Sequence, residues 1–138
     1  MKQIEGLIER YKQAVFQKDL EAFCSLYDEN LRVFDMWQRW SYSGLPAWRD
    51  MVQGWFASLG PNRDVVTFDD VQIRAGEDMA LMTAFIRFTN VTEKGEELRS
   101  LEERITWIFV KKDQAWKIIH QHSSSPIDFG SMKVILQR

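Results

Sequence analysis

The stretch "ERITWIFVKKDQAWKIIHQHSSSP", residues 103–126, decides the fold. β-Branched and aromatic residues fill both halves, and Lys112-Asp113-Gln114 separates them at the length of a hairpin loop. Two segments of the same character precede it, "VVTFDDVQIRA" and "MALMTAFIRFTNV", separated by Gly76-Glu77-Asp78 and followed by Glu93-Lys94-Gly95-Glu96. Together they predict four long strands in an antiparallel meander, over 65–75, 79–91, 98–111 and 115–125.

Upstream the period changes. Ile4, Leu7, Ile8, Tyr11, Ala14 and Val15 form an apolar stripe at helical spacing. Asp19 is placed to cap a second helix, "DLEAFCSLY". "NLRVFDMW" reads as a strand, and "SYSGLPAWRDMVQGWFASLG" as a turn and a third helix with a stripe of Trp48, Met51, Val52, Trp55 and Leu59. Helices first and hairpins afterwards predict the α+β class. We expect one domain, 1–138, in which a strongly curved antiparallel sheet wraps around the N-terminal helices as a cone-shaped barrel. The mouth of such a cone suits a ligand.

At 138 residues the chain has single-domain size. It can bury roughly two thirds of its unfolded surface, so no disulfide or structural metal is needed. The single Cys24 cannot pair within the chain and fits a reducing compartment. Eighteen Lys+Arg against twenty Asp+Glu give a net charge of −2 with no basic block, which argues against a nucleic-acid partner. The charges scattered through the N-terminal helix and the lack of an apolar run of about 18 residues argue against a leader and a membrane span. The expectation is a soluble cytoplasmic protein. Six Trp, nine Phe and three Tyr suffice for a large core, a pocket lining or a subunit interface.

Register follows from the turns. A four-residue loop over Glu93–Glu96 sets Arg87 opposite Glu102 and Phe85 opposite Arg104; a three-residue loop at Lys112–Gln114 sets Arg104 opposite His122 and Glu102 opposite Ser124. One face then gathers Arg87, Glu102, Arg104, His120, His122 and Ser124, and the other Ile86, Phe88, Ile105, Trp107, Phe109 and Ile119. We read the polar cluster as the pocket end of the concave face, and the aromatic face as core or dimer interface. A two-residue loop would instead move His122 to the face opposite Arg104. The cluster is either a structural ion-pair network with hydrogen-bonded histidines or a set of ligand-binding groups. A metal site is disfavoured, because H-x-H lacks further ligands and two arginines repel a cation; no cofactor is expected.

Asp35 alternates with Leu31, Val33 and Trp37 and so points to an apolar face, where a carboxylate pairs with an arginine or has a raised pKa. Tyr11 lies in the buried stripe of the first helix, and its hydroxyl needs a partner. Trp37, Trp40 and Tyr42 surround a turn and are candidates for ligand contact.

These segments resemble the nuclear transport factor 2-like superfamily, which includes the SnoaL-like proteins and ketosteroid isomerase. "ERYKQAVFQKDLEAFCSLYDENLRVFD" is similar to the family's opening helix, short second helix and first strand, and "YSGLPAWRDMVQGWF" to the segment that follows. "ERITWIFVKKDQAWKIIHQHSSSP" is similar to the ending of the SnoaL-like and kinase-association branches. The resemblance spans essentially the whole chain and implies the cystatin-like cone. It also implies that Tyr11 matches the isomerase's oxyanion-donating tyrosine and Asp35 its aspartate base. The isomerase's third group, a protonated aspartate, has no evident counterpart; Thr106 is the nearest residue. Arg87, Arg104 and the H-x-H tail resemble the kinase-association branch, whose pocket arginines receive small carboxylates.

Two functions follow. One is a cofactor-independent isomerase, cyclase or dehydratase type of activity in which Asp35 abstracts a proton next to a carbonyl. Tyr11, with His122 or an arginine, would stabilise the enolate, and Glu102, His120, Ser124, Trp37, Trp40 and Tyr42 would complete the ligand site. The other is a non-catalytic binding or association domain whose Arg87 and Arg104 hold a small carboxylate. The expected partners are a small molecule and a second copy of the chain, docked through the outer face of the sheet.

Overall fold

The computed structural model describes residues 1–138 as three helices and six strands. α1 (Lys2–Gln17) buries all six residues of its apolar stripe and ends at Lys18, whose left-handed φ of 55° lets its N–H reach the Ala14 and Val15 carbonyls. Asp19 then caps α2 (Leu20–Cys24), its carboxylate accepting from the Ala22 N–H at 3.0 Å. α2 stops earlier than expected because Tyr27 already belongs to β1 (Tyr27–Phe34). β2 (Tyr42–Ser43) is a two-residue strand with no sequence signal. α3 (Leu45–Ser58) starts after Gly44, whose φ of 87° suits glycine, and buries Trp48, Val52 and Phe56.

The four long strands are β3 (Arg63–Ala75), β4 (Met79–Val91), β5 (Glu97–Lys112) and β6 (Ala115–Ser124). They form one sheet with β1 and β2 in the order β2-β1-β6-β5-β4-β3. One pair departs from the all-antiparallel expectation: β1 runs parallel to β6, with Val33 beside Gln121. No turn joins these two strands, so no local signal could report their direction.

Arg87 pairs with Glu102 and Phe85 with Arg104, as the turn count predicts. The last hairpin differs. Its turn has two residues, Asp113 and Gln114, both at positive φ (50° and 65°), and Lys112 pairs with Ala115. A bulge between Ile108 and Phe109 then shifts the ladder again, so that Arg104 pairs with Ser124 and His122 with Thr106. The two one-residue changes cancel in parity, and His122 stays on the face of Arg104, one pair along. A further bulge lies between Asp69 and Gln72, where Asp70 has a φ of 51°. Bulges deepen the twist and bend the sheet around α1.

Ala84, Ile86, Ile105, Trp107, Phe109 and Ile118 on the inner face meet Tyr11, Phe23 and Phe56 in a single core. The aromatic face is therefore core, with Ile119 only half-buried beside the bulge. After β6 the chain makes a short hairpin with Ile127 paired to Val134, and Leu136 O accepts from Glu102 N at 2.8 Å where β6 has ended. No helix is long and apolar enough to cross a membrane.

Candidate functional site

The polar cluster read as the pocket end of the concave face lies on the outer face instead. Alternation along β5 sends Glu103, Ile105, Trp107 and Phe109 inward, and with them the helices; Glu102, Arg104 and Thr106 point the other way. Arg87 Nη2 donates to Glu102 Oε1 at 3.1 Å. Arg138 Nε donates to Glu102 Oε2 at 2.6 Å and Arg138 Nη2 to Asp69 Oδ2 at 2.9 Å, its guanidinium 4.1 Å above the Phe85 ring. Arg138 first and then Arg87 hold the Glu102 carboxyl below the usual range. Asp69, Arg87, Glu102 and Arg138 thus form one ion-pair network on this face. Arg104 Nε donates to Ser124 Oγ at 3.1 Å and is exposed. His120 Nδ1 lies 2.7 Å from Arg32 O, and the Phe34 ring stands edge-on to both histidines, 5.1 Å from His120 and 5.5 Å from His122. His122 therefore faces solvent, and the structure does not bring it to Asp35. Thr106 shares its face.

Inside the cone a different set converges. Ser123 Oγ donates to Asp35 Oδ1 at 3.0 Å, and burial raises the Asp35 carboxyl above its ordinary value despite that bond. Glu103 is 6 % exposed, and its pKa is pushed up to about 7, first by burial and then by the charge of Asp35. Ser123 and Trp37 beside it pull weakly the other way. Gln121 Oε1 accepts from Tyr27 OH at 2.5 Å and from Trp107 Nε1 at 2.8 Å. Tyr11 is 2 % exposed, packed between Phe23, Phe68 and Trp107, and its hydroxyl makes no protein hydrogen bond. Burial raises its pKa first; the charges of Glu103, Asp35 and Asp64 are near enough to add to the shift. Asp64 is itself bonded to Trp55 Nε1 and Asn90 Nδ2, each at 3.0 Å.

Of the three aromatics around the turn, Trp37 is half-exposed and lies beside Glu103, whereas Trp40 is 97 % exposed. Tyr42 is buried against Trp48, with ring centroids 5.3 Å apart. Asp35 and Tyr11 thus occupy the interior with Glu103, Ser123 and Gln121, three groups that sequence reasoning missed. Glu103 was findable, since it shares parity with Ile105, Trp107 and Phe109. Gln121 and Ser123 were equally findable, since the predicted register already put them on the face of Ile105 and Trp107; they were passed over because the pocket was assigned to the other face.

Chemically, two carboxyls flank one serine hydroxyl in a site with no buried Lys, Arg or His. The charge of Asp35 adds to burial in favouring the protonated form of Glu103.

The pattern of the SnoaL-like domain matches residues 4–128. An NTF2-like protein of unknown function from Pseudomonas putida KT2440 superposes with a TM-score of 0.88 at 23 % identity, over 99 % of this chain and 94 % of its own. An NTF2-like superfamily protein from Salmonella enterica serovar Typhimurium has a TM-score of 0.72 at 18 % identity, over 94 % and 92 %. A protein with a cystatin-like fold from Caulobacter vibrioides has a TM-score of 0.72 at 17 % identity, over 89 % and 87 %. At these identities the likenesses speak for the fold alone. No protein of curated function matches the sequence. With 125 of its residues on the family pattern (4–128) and an α+β cone of the NTF2-like kind, the chain belongs to the SnoaL-like domain family.

Proposed function

We propose that this SnoaL-like domain binds a small organic molecule inside its cone and catalyses proton transfer next to a carbonyl, an isomerase, cyclase or dehydratase type of reaction. The observation that carries this is the pairing of Asp35 and Glu103 around Ser123, with the buried Tyr11 side chain close enough to feel the charge of both carboxyls. Asp35 is the base, its basicity raised by burial and not quenched by an arginine. Glu103, protonated up to about 7, and Tyr11 donate to the oxygen on which charge develops. Incubating the protein with a panel of aryl ketones and 1,3-diketones in D2O, and following loss of the α-proton signals by NMR, tests the reading. Asp35→Asn should slow exchange by a factor of about a hundred or more. Wild-type exchange no faster than in buffer alone would overturn it.

A second reading concerns assembly. Phe129 is 95 % exposed and Met132 74 %, both on the C-terminal hairpin, and Leu81 on the outer face is 39 % exposed. These support a homodimer through the outer face of the sheet, with Arg87 and Arg104 outside the ligand site. Sedimentation analysis of the wild type and of Phe129→Ser tests this: a wild-type monomer overturns it.

A further inference from the structure

On the outer face a buried acceptor is held by a side chain that lies at the surface. The Glu102 side chain is 5 % exposed, whereas that of Arg138 is 45 % exposed. Arg138 reaches it with two donors, its main-chain N–H to Oε1 at 3.2 Å and its Nε to Oε2 at 2.6 Å. The same guanidinium continues through Nη2 to Asp69 Oδ2 at 2.9 Å. The Phe85 ring lies beneath it, with its centroid 4.1 Å from Cζ. Two carboxylates over an aromatic floor suit a flat, forked guanidinium, and a compact ammonium uses them less well.

The receiving half of this contact belongs to the sheet. Asp69 on β3 pairs with Phe85 on β4, and Glu102 on β5 pairs with Arg87, two residues further along β4. The other half is held by few bonds. Beyond the Ile127–Val134 bridge, Leu136 O accepts from Glu102 N at 2.8 Å, Gln137 Nε2 donates to Ser100 O at 2.5 Å, and Arg138 adds its own three. These bonds run along the edge of β5 that opens past Arg104, the residue paired with Ser124 at the end of β6. An open strand edge accepts an extended segment through main-chain bonds, and a side-chain receptor beside it selects which segment. Without Arg138, Glu102 Oε2 would have no protein donor, and Arg87 would be bonded to Oε1 alone.

We infer that Asp69, Phe85, Glu102 and the open edge of β5 form a recognition site for an arginine carried on an extended segment of a partner protein, and that residues 136–138 fill it as a tethered occupant. The partner segment takes the place of Leu136, Gln137 and Arg138, with a carbonyl on the Glu102 N–H and a guanidinium two residues later between the carboxylates. The site lies on the opposite side of the sheet from Asp35 and Glu103, so it stands apart from the proposed catalysis.

The test is calorimetric titration with two acetylated, amidated tripeptides, Leu-Gln-Arg, which copies residues 136–138, and Leu-Gln-Lys. In the wild type the tethered segment competes at an effective concentration of about a millimolar or more. Gln137→Ala with Arg138→Ala removes its side-chain anchors. That double variant should bind Leu-Gln-Arg at least about tenfold more tightly than the wild type does, and at least about tenfold more tightly than it binds Leu-Gln-Lys. Adding Glu102→Gln should abolish the preference for arginine. Asp69→Asn in the same background changes an exposed side chain and should weaken Leu-Gln-Arg at least about threefold, which keeps the test open if the Glu102 variant does not fold. Circular dichroism and the urea midpoint report the fold of each variant. Equal binding of the two peptides, or no binding by the double variant, overturns the inference. So does a wild-type dimer that Arg138→Ala converts to a monomer, because the occupant would then be the segment of a second copy.

Discussion

Ser123 Oγ donates to Asp35 Oδ1 at 3.0 Å, tying the end of β1 to the end of β6 across the sheet's one parallel pair. The bond sets two opposing effects on one carboxyl. Burial raises the Asp35 pKa, and the serine, by bonding the charged form, lowers it. Ser123→Ala should therefore raise the pKa of Asp35 and move the acid limb of the pH–rate profile to higher pH. A limb that stays in place would show that the limiting base is not Asp35.

Glu103 gives the clearest pH signature in stability. Its folded pKa is about 7 against an ordinary 4.5, so between those values the folded protein holds a proton that the unfolded chain has released. Stability from this group is fully present below about pH 4.5 and falls as pH rises toward 7, by up to about 3 kcal/mol. Glu103→Gln removes that slope. Relative to wild type it should gain stability between about pH 5 and about pH 8 in urea unfolding, by an amount that approaches this value. Parallel curves for the two proteins would show that Glu103 titrates normally.

Much of this was legible before the structure. The four long strands lie where alternation and turn residues put them, and Asp35 and Tyr11 face inward as their neighbours require. The face of the polar cluster was misread, although α1 holds the reason. Its stripe of Ile4, Leu7, Ile8, Tyr11, Ala14 and Val15 can be buried only against apolar residues, so the helices must cover Trp107 and Phe109 and leave Arg87 and Arg104 outside. The pairing of β1 with β6 and the contact of Leu136 with Glu102 join residues far apart in the chain, and no local pattern encodes them. The bulge between Ile108 and Phe109 is equally silent, since no glycine or proline marks it.

The outer location of the basic residues has a functional consequence. Arg104→Ala and His122→Ala alter exposed side chains on the far side of the sheet from Asp35. Each should leave proton exchange on a neutral ketone within about twofold of wild type. A loss comparable to that of Asp35→Asn would place these residues in the reaction.

Trp107 joins the core to the interior polar set. It is fully buried, touches the rings of Tyr11, Phe68 and Phe109, and donates to Gln121 Oε1 at 2.8 Å. Trp107→Ala should cost about 3–5 kcal/mol in urea unfolding, through lost transfer energy and the cavity left behind. A cost near that of an exposed substitution would mean that the sheet and α1 collapse to fill the space.

The turn of the last hairpin carries strain that a single change should relieve. Asp113 and Gln114 both adopt left-handed φ, at 50° and 65°, and both are exposed. A residue with a Cβ costs about 1–2 kcal/mol in that region, whereas glycine enters it freely. Two-residue hairpin turns of this handedness favour Asp followed by Gly, and here the first of the two is already present. Gln114→Gly should therefore stabilise the protein by about 0.5–1 kcal/mol, read as a higher urea midpoint at unchanged slope. A lower midpoint for the glycine variant would mean that Gln114 is unstrained in this turn, and that the flexibility glycine adds to the unfolded chain outweighs any relief.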